Sequence, residues 1–176
     1  LSSVGAALKM HGVDIVAEAR KKSTAINLFR SLQPNVLLID MHKSQEHSVD
    51  IADAIRKEAP EIGVVILVPC ADMRLIGEDL AQMPAGTLLV LKNSLSSLTP
   101  LCDVISASRT FEKDAPVAWV NGGITLNDKE SHGLMSSLSD IQIQTLRYAA
   151  EGLTNAEIGR LRFVSEKAIE QVLSRV

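Results

Sequence analysis

Asp40 closes the apolar run Asn35-Val36-Leu37-Leu38-Ile39, where a strand would hand over to a loop. A carboxylate at the C-terminal end of a parallel strand stands where open α/β sheets bind ligands. The plainer alternative is a cap on the following helix or loop. A second group lies near the other end of the chain. Lys167, Glu170, Gln171 and Ser174 recur at i, i+3, i+4 and i+7, which on a helix makes one polar stripe. Ile169, Val172 and Val176 recur on the opposite side and should pack inward. In isolation such a stripe is a solvated helix face. Beside a nucleic acid, Gln171 could hold adenine through a bidentate contact, Lys167 could take guanine or a phosphate, and Glu170 could accept from a cytosine amino group. Arg160 and Arg175 would then be phosphate contacts, which position without specifying. His42 and His47, beside Asp40 and Glu46, have metal-ligand chemistry but no matching partner cluster, so a polar loop is the better reading. Cys70 and Cys102 sit in apolar runs without metal-ligand spacing, as buried thiols of a reduced compartment do. No Gly-rich phosphate loop and no serine nucleophile elbow is present.

The elements that must position these residues are of two kinds. Through the first hundred residues, β-branched runs alternate with segments of helical spacing. The runs are Val13 to Ala17, Val36 to Ile39, Val64 to Val68 and Thr87 to Leu91. Apolar on both faces and separated by helices, they predict a parallel sheet covered on both sides. Gln33-Pro34-Asn35, Ala59-Pro60-Glu61 and Pro84-Ala85-Gly86 punctuate it. Thr99 and Pro100 predict the cap and first residue of a last helix reaching about Thr110. The chain opens in helical spacing, Leu1 to His11, so a strand that would normally come first is expected to be missing. Residues 112–137 carry turn and linker types. Ala118-Trp119-Val120 and Ile124-Thr125-Leu126 flank Asn121-Gly122 there, so a short hairpin competes with the preferred reading, an ordered linker laying the single Trp on a domain surface. The 176 residues are 46% apolar and 22% charged with net charge −3, which rules out wholesale disorder. No run is long and apolar enough for a membrane span, and Leu1 to Met10 lacks the basic leader of a signal peptide. These traits predict a cytoplasmic protein.

From Leu138 onward the residues predict three short helices. Ser139 with Gln142, and Thr154 with Glu157, are two capping boxes; Glu151-Gly152-Leu153 stops the first helix. Phe163-Val164-Ser165 breaks the second, and Ser165 can cap a third. Three short helices joined by tight turns describe a helix-turn-helix, whose last helix enters the major groove. That context favours the groove over the solvated face for the stripe on the third predicted helix. Residues 138–176 hold five basic and five acidic side chains, a neutral balance that predicts weak binding by one copy.

The string Ala150-Glu151-Gly152-Leu153-Thr154-Asn155-Ala156-Glu157-Ile158-Gly159, followed by Val164-Ser165-Glu166-Lys167-Ala168-Ile169, strongly resembles the LuxR-type DNA-binding domain. Two residues depart from it: Arg162 stands where the family has an apolar residue, and Phe163 where it usually has Gly. A small helix rotation that brings Leu161 into the core is the expected compensation. The family's fourth helix falls beyond Val176.

Joined to such a domain, the α/β part resembles a receiver, and the whole resembles the NarL/FixJ class of response regulators. The resemblance implies a flavodoxin-like, doubly wound parallel sheet lacking its first strand, followed by a small all-α helix-turn-helix domain. It implies boundaries at 1–111 for the receiver-like domain, 112–137 for the linker and 138–176 for the DNA-binding domain. It makes Asp40 the phosphoacceptor and Lys92 the phosphate-pairing lysine. It further implies Mg²⁺ beside Asp40, held with two acidic residues that follow a first strand not expected in this chain. Val68 falls where the family has a hydroxyl, and Leu89 falls at the aromatic switch position, so the receiver is divergent or a pseudo-receiver. The expectation is a transcription regulator, not an enzyme, that binds double-stranded DNA as a homodimer and has a sensor histidine kinase as a partner. The competing expectation is an α/β phosphoacceptor protein whose helical tail is a protein-interaction module. An enzyme with Asp40 as nucleophile ranks third.

Overall fold

The computed structural model describes residues 3–41, 48–70, 72–95, 97–121, 124–126 and 137–175. It divides into two compact units, Leu1–Cys70 with Leu80–Asp128, and Ala71–Asp79 with Lys129–Val176.

The first unit is built on a five-stranded sheet. Its elements run α1 (Ser3–Met10), α2 (Lys22–Leu32), β1 (Val36–Asp40), α3 (Ser48–Glu58), β2 (Gly63–Val68), β3 (Thr87–Leu91), α4 (Thr99–Ser108), β4 (Ala118–Asn121) and β5 (Ile124–Leu126). The strand order is β1-β2-β3-β4-β5; the first four are parallel, and β5 returns antiparallel to β4. Every residue of β2 is buried, as an inner strand covered on both faces must be. Side chains alternate along a strand, so Val65, Leu67, Leu88, Val90 and Val120 share one face. There they form a core with Leu8 of α1 and Leu101, Val104 and Ile105 of α4. Val64, Ile66, Val68, Leu89 and Trp119 alternate to the opposite face and are equally buried. Arg56 of α3 donates to the carbonyls of Ala85 and Lys113 at 2.9 and 3.2 Å, tying the turn before β3 to the segment after α4.

Two sequence expectations are corrected here. Val13–Ala17 joins no ladder, although Val13 and Ile15 are half-buried against the core and Asp14 and Val16 are exposed. It has the alternation of a strand without a hydrogen-bonded neighbour, because apolar content gives burial whereas a ladder needs a partner edge. The other correction concerns 112–137. The linker reading fails for 118–121 and 124–126, since Ala118-Trp119-Val120 pairs in parallel with Leu88-Leu89-Val90 and Trp119-Val120-Asn121 pairs antiparallel with Ile124-Thr125-Leu126. β3 offers a row of unpaired amides and carbonyls, and a strand laid on that edge satisfies them while burying the indole. Trp119 is only 7% exposed. A smaller difference is that Leu98, not Thr99, is the cap of α4, with Pro100 still in the first turn.

The second unit is a three-helix cluster: α5 (Asp140–Ala150), α6 (Asn155–Arg162) and α7 (Glu166–Leu173). Both capping boxes are formed, and Ser165 accepts from the Ala168 amide to start α7. Gly152, at φ +88°, turns the chain between α5 and α6. Ile143, Ile158 and Ile169, one from each helix, are at most 1% exposed. Burial of each contributes roughly 1.5–3 kcal/mol. The chain between β2 and β3 adds to this unit through a 3₁₀ turn, Met73–Ile76. Arg74 there holds Asp72 through two bonds and donates to the Asp140 carboxylate at 2.9 Å and the Leu138 carbonyl at 3.2 Å. Hydrogen bonds to Asp72 first and Asp140 second hold the guanidinium pKa above its usual value.

Candidate functional site

The parallel register brings the C-terminal ends of the strands to one edge: Asp40 stands opposite Leu67, Val68 opposite Leu91, and Val90 opposite Val120. Asp40 ends β1, and Lys92 follows β3. Lys92 Nζ reaches across β2 to pair with the Asp40 carboxylate and donates to the Met41 carbonyl at 2.8 Å. The Asp40 side chain is 41% exposed and that of Lys92 26%, so the pair opens to solvent at the sheet edge. The structure therefore unites the two residues that sequence reasoning placed in one site. Val68 and Leu89 are fully buried, and neither brings a hydroxyl or an aromatic ring.

Magnesium takes a near-octahedral set of oxygen ligands, usually one or two carboxylates with waters. Among the described residues no group of three or more His, Cys, Asp or Glu is gathered that could hold a metal. Asp40 also already has an ammonium on its carboxylate. The described residues thus gather no Mg²⁺ ligand set around Asp40. His42, Glu46 and His47 lie outside the described residues.

In the helical unit, α7 presents the predicted stripe. Ile169 is buried and Val172 half-buried, whereas Lys167, Glu170, Gln171, Ser174 and Arg175 are exposed, as is Arg160 on α6. α7 ends at Leu173, so Ser174 is its cap and turns its hydroxyl back to the Gln171 carbonyl at 3.1 Å. Lys167 and Arg175 carry no ion pair among the described residues. Glu157 is spent locally: hydrogen bonds from the Thr154 amide and hydroxyl hold its carboxyl below the usual range.

The expected helix rotation is not found. Leu161 stays 55% exposed, and Arg162 turns inward to donate to the Thr145 hydroxyl at 2.6 Å. Thr145 in turn donates to the Ile141 carbonyl, so a polar chain replaces the apolar contact. Sequence reasoning missed the Met41 carbonyl on Lys92 and the Arg74 bridge, both of which join residues more than fifty positions apart. The Asn-Gly dipeptide was the signal that could have settled the hairpin.

The chain matches curated transcription regulators along nearly its whole length. It is 22% identical over 170 residues to the transcriptional regulatory protein LnrK of Bacillus subtilis, covering 93% of this chain and 77% of LnrK. Its relatives are transcriptional response regulators. The DNA-binding transcriptional activator EvgA of Escherichia coli is 21% identical over 164 residues, covering 93% of this chain and 78% of that one. The nitrate/nitrite response regulator NarP of the same species is 25% identical over 164 residues, with 90% and 73% covered. Among solved structures, the response regulator RcsB in complex with DNA is 18% identical, covering 97% of this chain and 80% of that one at a TM-score of 0.45. No family model matches the chain. Among the described residues no helix is long and apolar enough to cross a membrane.

Proposed function

We propose that this protein is a cytoplasmic transcription regulator that binds double-stranded DNA as a homodimer through α6 and α7. The α/β domain, in this reading, runs through the β4–β5 hairpin, and the DNA-binding domain begins near Leu138. The observation that carries the reading is the exposed stripe of α7, set opposite the buried Ile169. Gln171 and Lys167 read base edges, Glu170 accepts from a cytosine, Arg160 and Arg175 hold phosphates, and Ser174 marks the end of the reading face. Asp40 keeps the position of a phosphoacceptor and Lys92 that of its charge partner, with a sensor histidine kinase as the phosphoryl source. The chain is a regulator in this reading, and catalysis is left to its partners.

The test is DNA binding across a salt series. Gln171→Ala should cost about 1–3 kcal/mol at the selected site and relax one base position. Arg175→Ala should weaken all sequences alike and lower the salt slope by about one. Unchanged affinity and base preference in Gln171→Ala would show that the stripe does not face the groove. A chain that binds no duplex at low salt would leave the helices as a protein-interaction module.

A further inference from the structure

Phe163 contributes nothing to the core of the helical unit: it is 96% exposed. It also stands in the left-handed backbone region, at φ 55° and ψ 39°, where glycine or asparagine is at ease and a bulky residue is not. The turn that displays it is held firmly. The Val164 amide donates to the Gly159 carbonyl at 2.9 Å. A Cβ on Gly159 would lie 2.8 Å from the Val164 carbonyl, so the turn is pressed against α6. Arg162, next in the chain, is drawn inward to Thr145, which leaves the ring as the outward group of the turn. Leu161 and Val164 beside it are 55% and 43% exposed.

Resting on the DNA-binding reading, we infer that Phe163 is itself a DNA contact, an apolar side chain laid on a thymine methyl in the groove that α7 enters. Strain carried by an outward side chain points to a use outside the fold. The place of the residue names the occupant. α7 starts at Glu166 with Ser165 as its cap, and the N-terminal residues of the second helix of a helix-turn-helix are those that reach base edges. The α6–α7 turn is thereby carried to the DNA. Exposed Arg160 and Lys167 flank it on the two helices, with Glu166 and Glu170 as the exposed acids of α7. With charge so nearly balanced, phosphate attraction is weak, and an apolar contact supplies binding that charge does not.

The whole chain is titrated against a pool of random-sequence duplexes between about 50 and 200 mM salt, and bound sequences are selected. Phe163→Gly should keep or raise the thermal midpoint, because glycine suits the backbone. It should weaken binding about tenfold with the salt slope unchanged, and it should lose a thymine preference at one position. Phe163→Leu should keep most of the affinity. Arg160→Ala, as the comparison, should lower the slope by about one. Wild-type affinity in Phe163→Gly, or a loss in Phe163→Leu as large as that in the glycine variant, would overturn the contact. A loss that tracks a fall in thermal midpoint would make Phe163 a structural residue and overturn it too. Failure of the wild-type chain to bind any duplex would instead overturn the DNA reading, and this contact with it.

Discussion

Lys92 holds two oxygens at once, the Asp40 carboxylate and the Met41 carbonyl, and that limits what a new charge on Asp40 can do. A phosphoryl group there would take over an ammonium that is already in place. No hydroxyl stands at Val68 to add a charge-assisted hydrogen bond, an interaction worth about 1.5–3 kcal/mol. Leu89 is a buried aliphatic group and cannot swing as an aromatic with a polar tip does. A ligand shifts a two-state equilibrium only by its differential interaction with the two states. With the full-length protein, Mg²⁺ and a small acyl-phosphate donor should therefore change DNA affinity by less than about tenfold relative to an Asp40→Asn control. Binding curves with and without the donor measure this, and a larger rise absent from the control would establish a receiver that switches strongly.

At the scale of elements, the turn between α6 and α7 depends on a missing side chain. Gly159 is buried inside α6, where alanine would favour the helix by about 1 kcal/mol. The Cβ of that alanine would meet the Val164 carbonyl at 2.8 Å, and a backbone atom cannot step aside as a flexible side chain can. Overpacking of this kind costs about 1–3 kcal/mol. Gly159→Ala should therefore destabilise the helical unit by up to about 2 kcal/mol net of the helix gain. Faster hydrogen exchange at the amides of α6 and α7, with those of β2 unchanged, is the expected signature. Unchanged exchange would mean that the turn relaxes freely. The same close approach holds Phe163 and the start of α7 in register, so local packing and the binding face are one problem.

For the whole molecule, charge decides how many copies act. Among residues 138–176 the five cations are matched by five acids. Neutralising phosphates supplies much of the affinity of any DNA-binding protein, and a neutral domain has little of it to offer. Two copies on paired half-sites double the contact without adding net charge. Helix-turn-helix dimers place such half-sites about one helical turn, roughly 10 base pairs, apart. The full-length protein should therefore protect a two-fold site, with binding that rises cooperatively with protein concentration. Protection of a single half-site at physiological salt would count against the dimer.

The sequence by itself determined the helical unit almost completely. Capping boxes, a glycine stop and the helical spacing of Ile169 and Val172 are local signals, and each acts within one or two turns of chain. It also placed Asp40 and Lys92 at strand ends, because a strand buried on both faces is legible as an uninterrupted apolar run. Tertiary structure alone decided which extended segments pair. Val13–Ala17 has the composition of a strand yet finds no ladder, while Ala118–Val120, set among turn residues, completes the edge of β3. Pairing depends on which edge is open in space, and no residue of the pairing segment encodes that. The inward turn of Arg162 was hidden for a related reason. A charged residue at a core position can be read from sequence as a fault, but the Thr145 hydroxyl that satisfies it lies on another helix. Hydrogen bonds between distant residues are fixed by the fold that brings the partners together, and only then do they fix the fold in return.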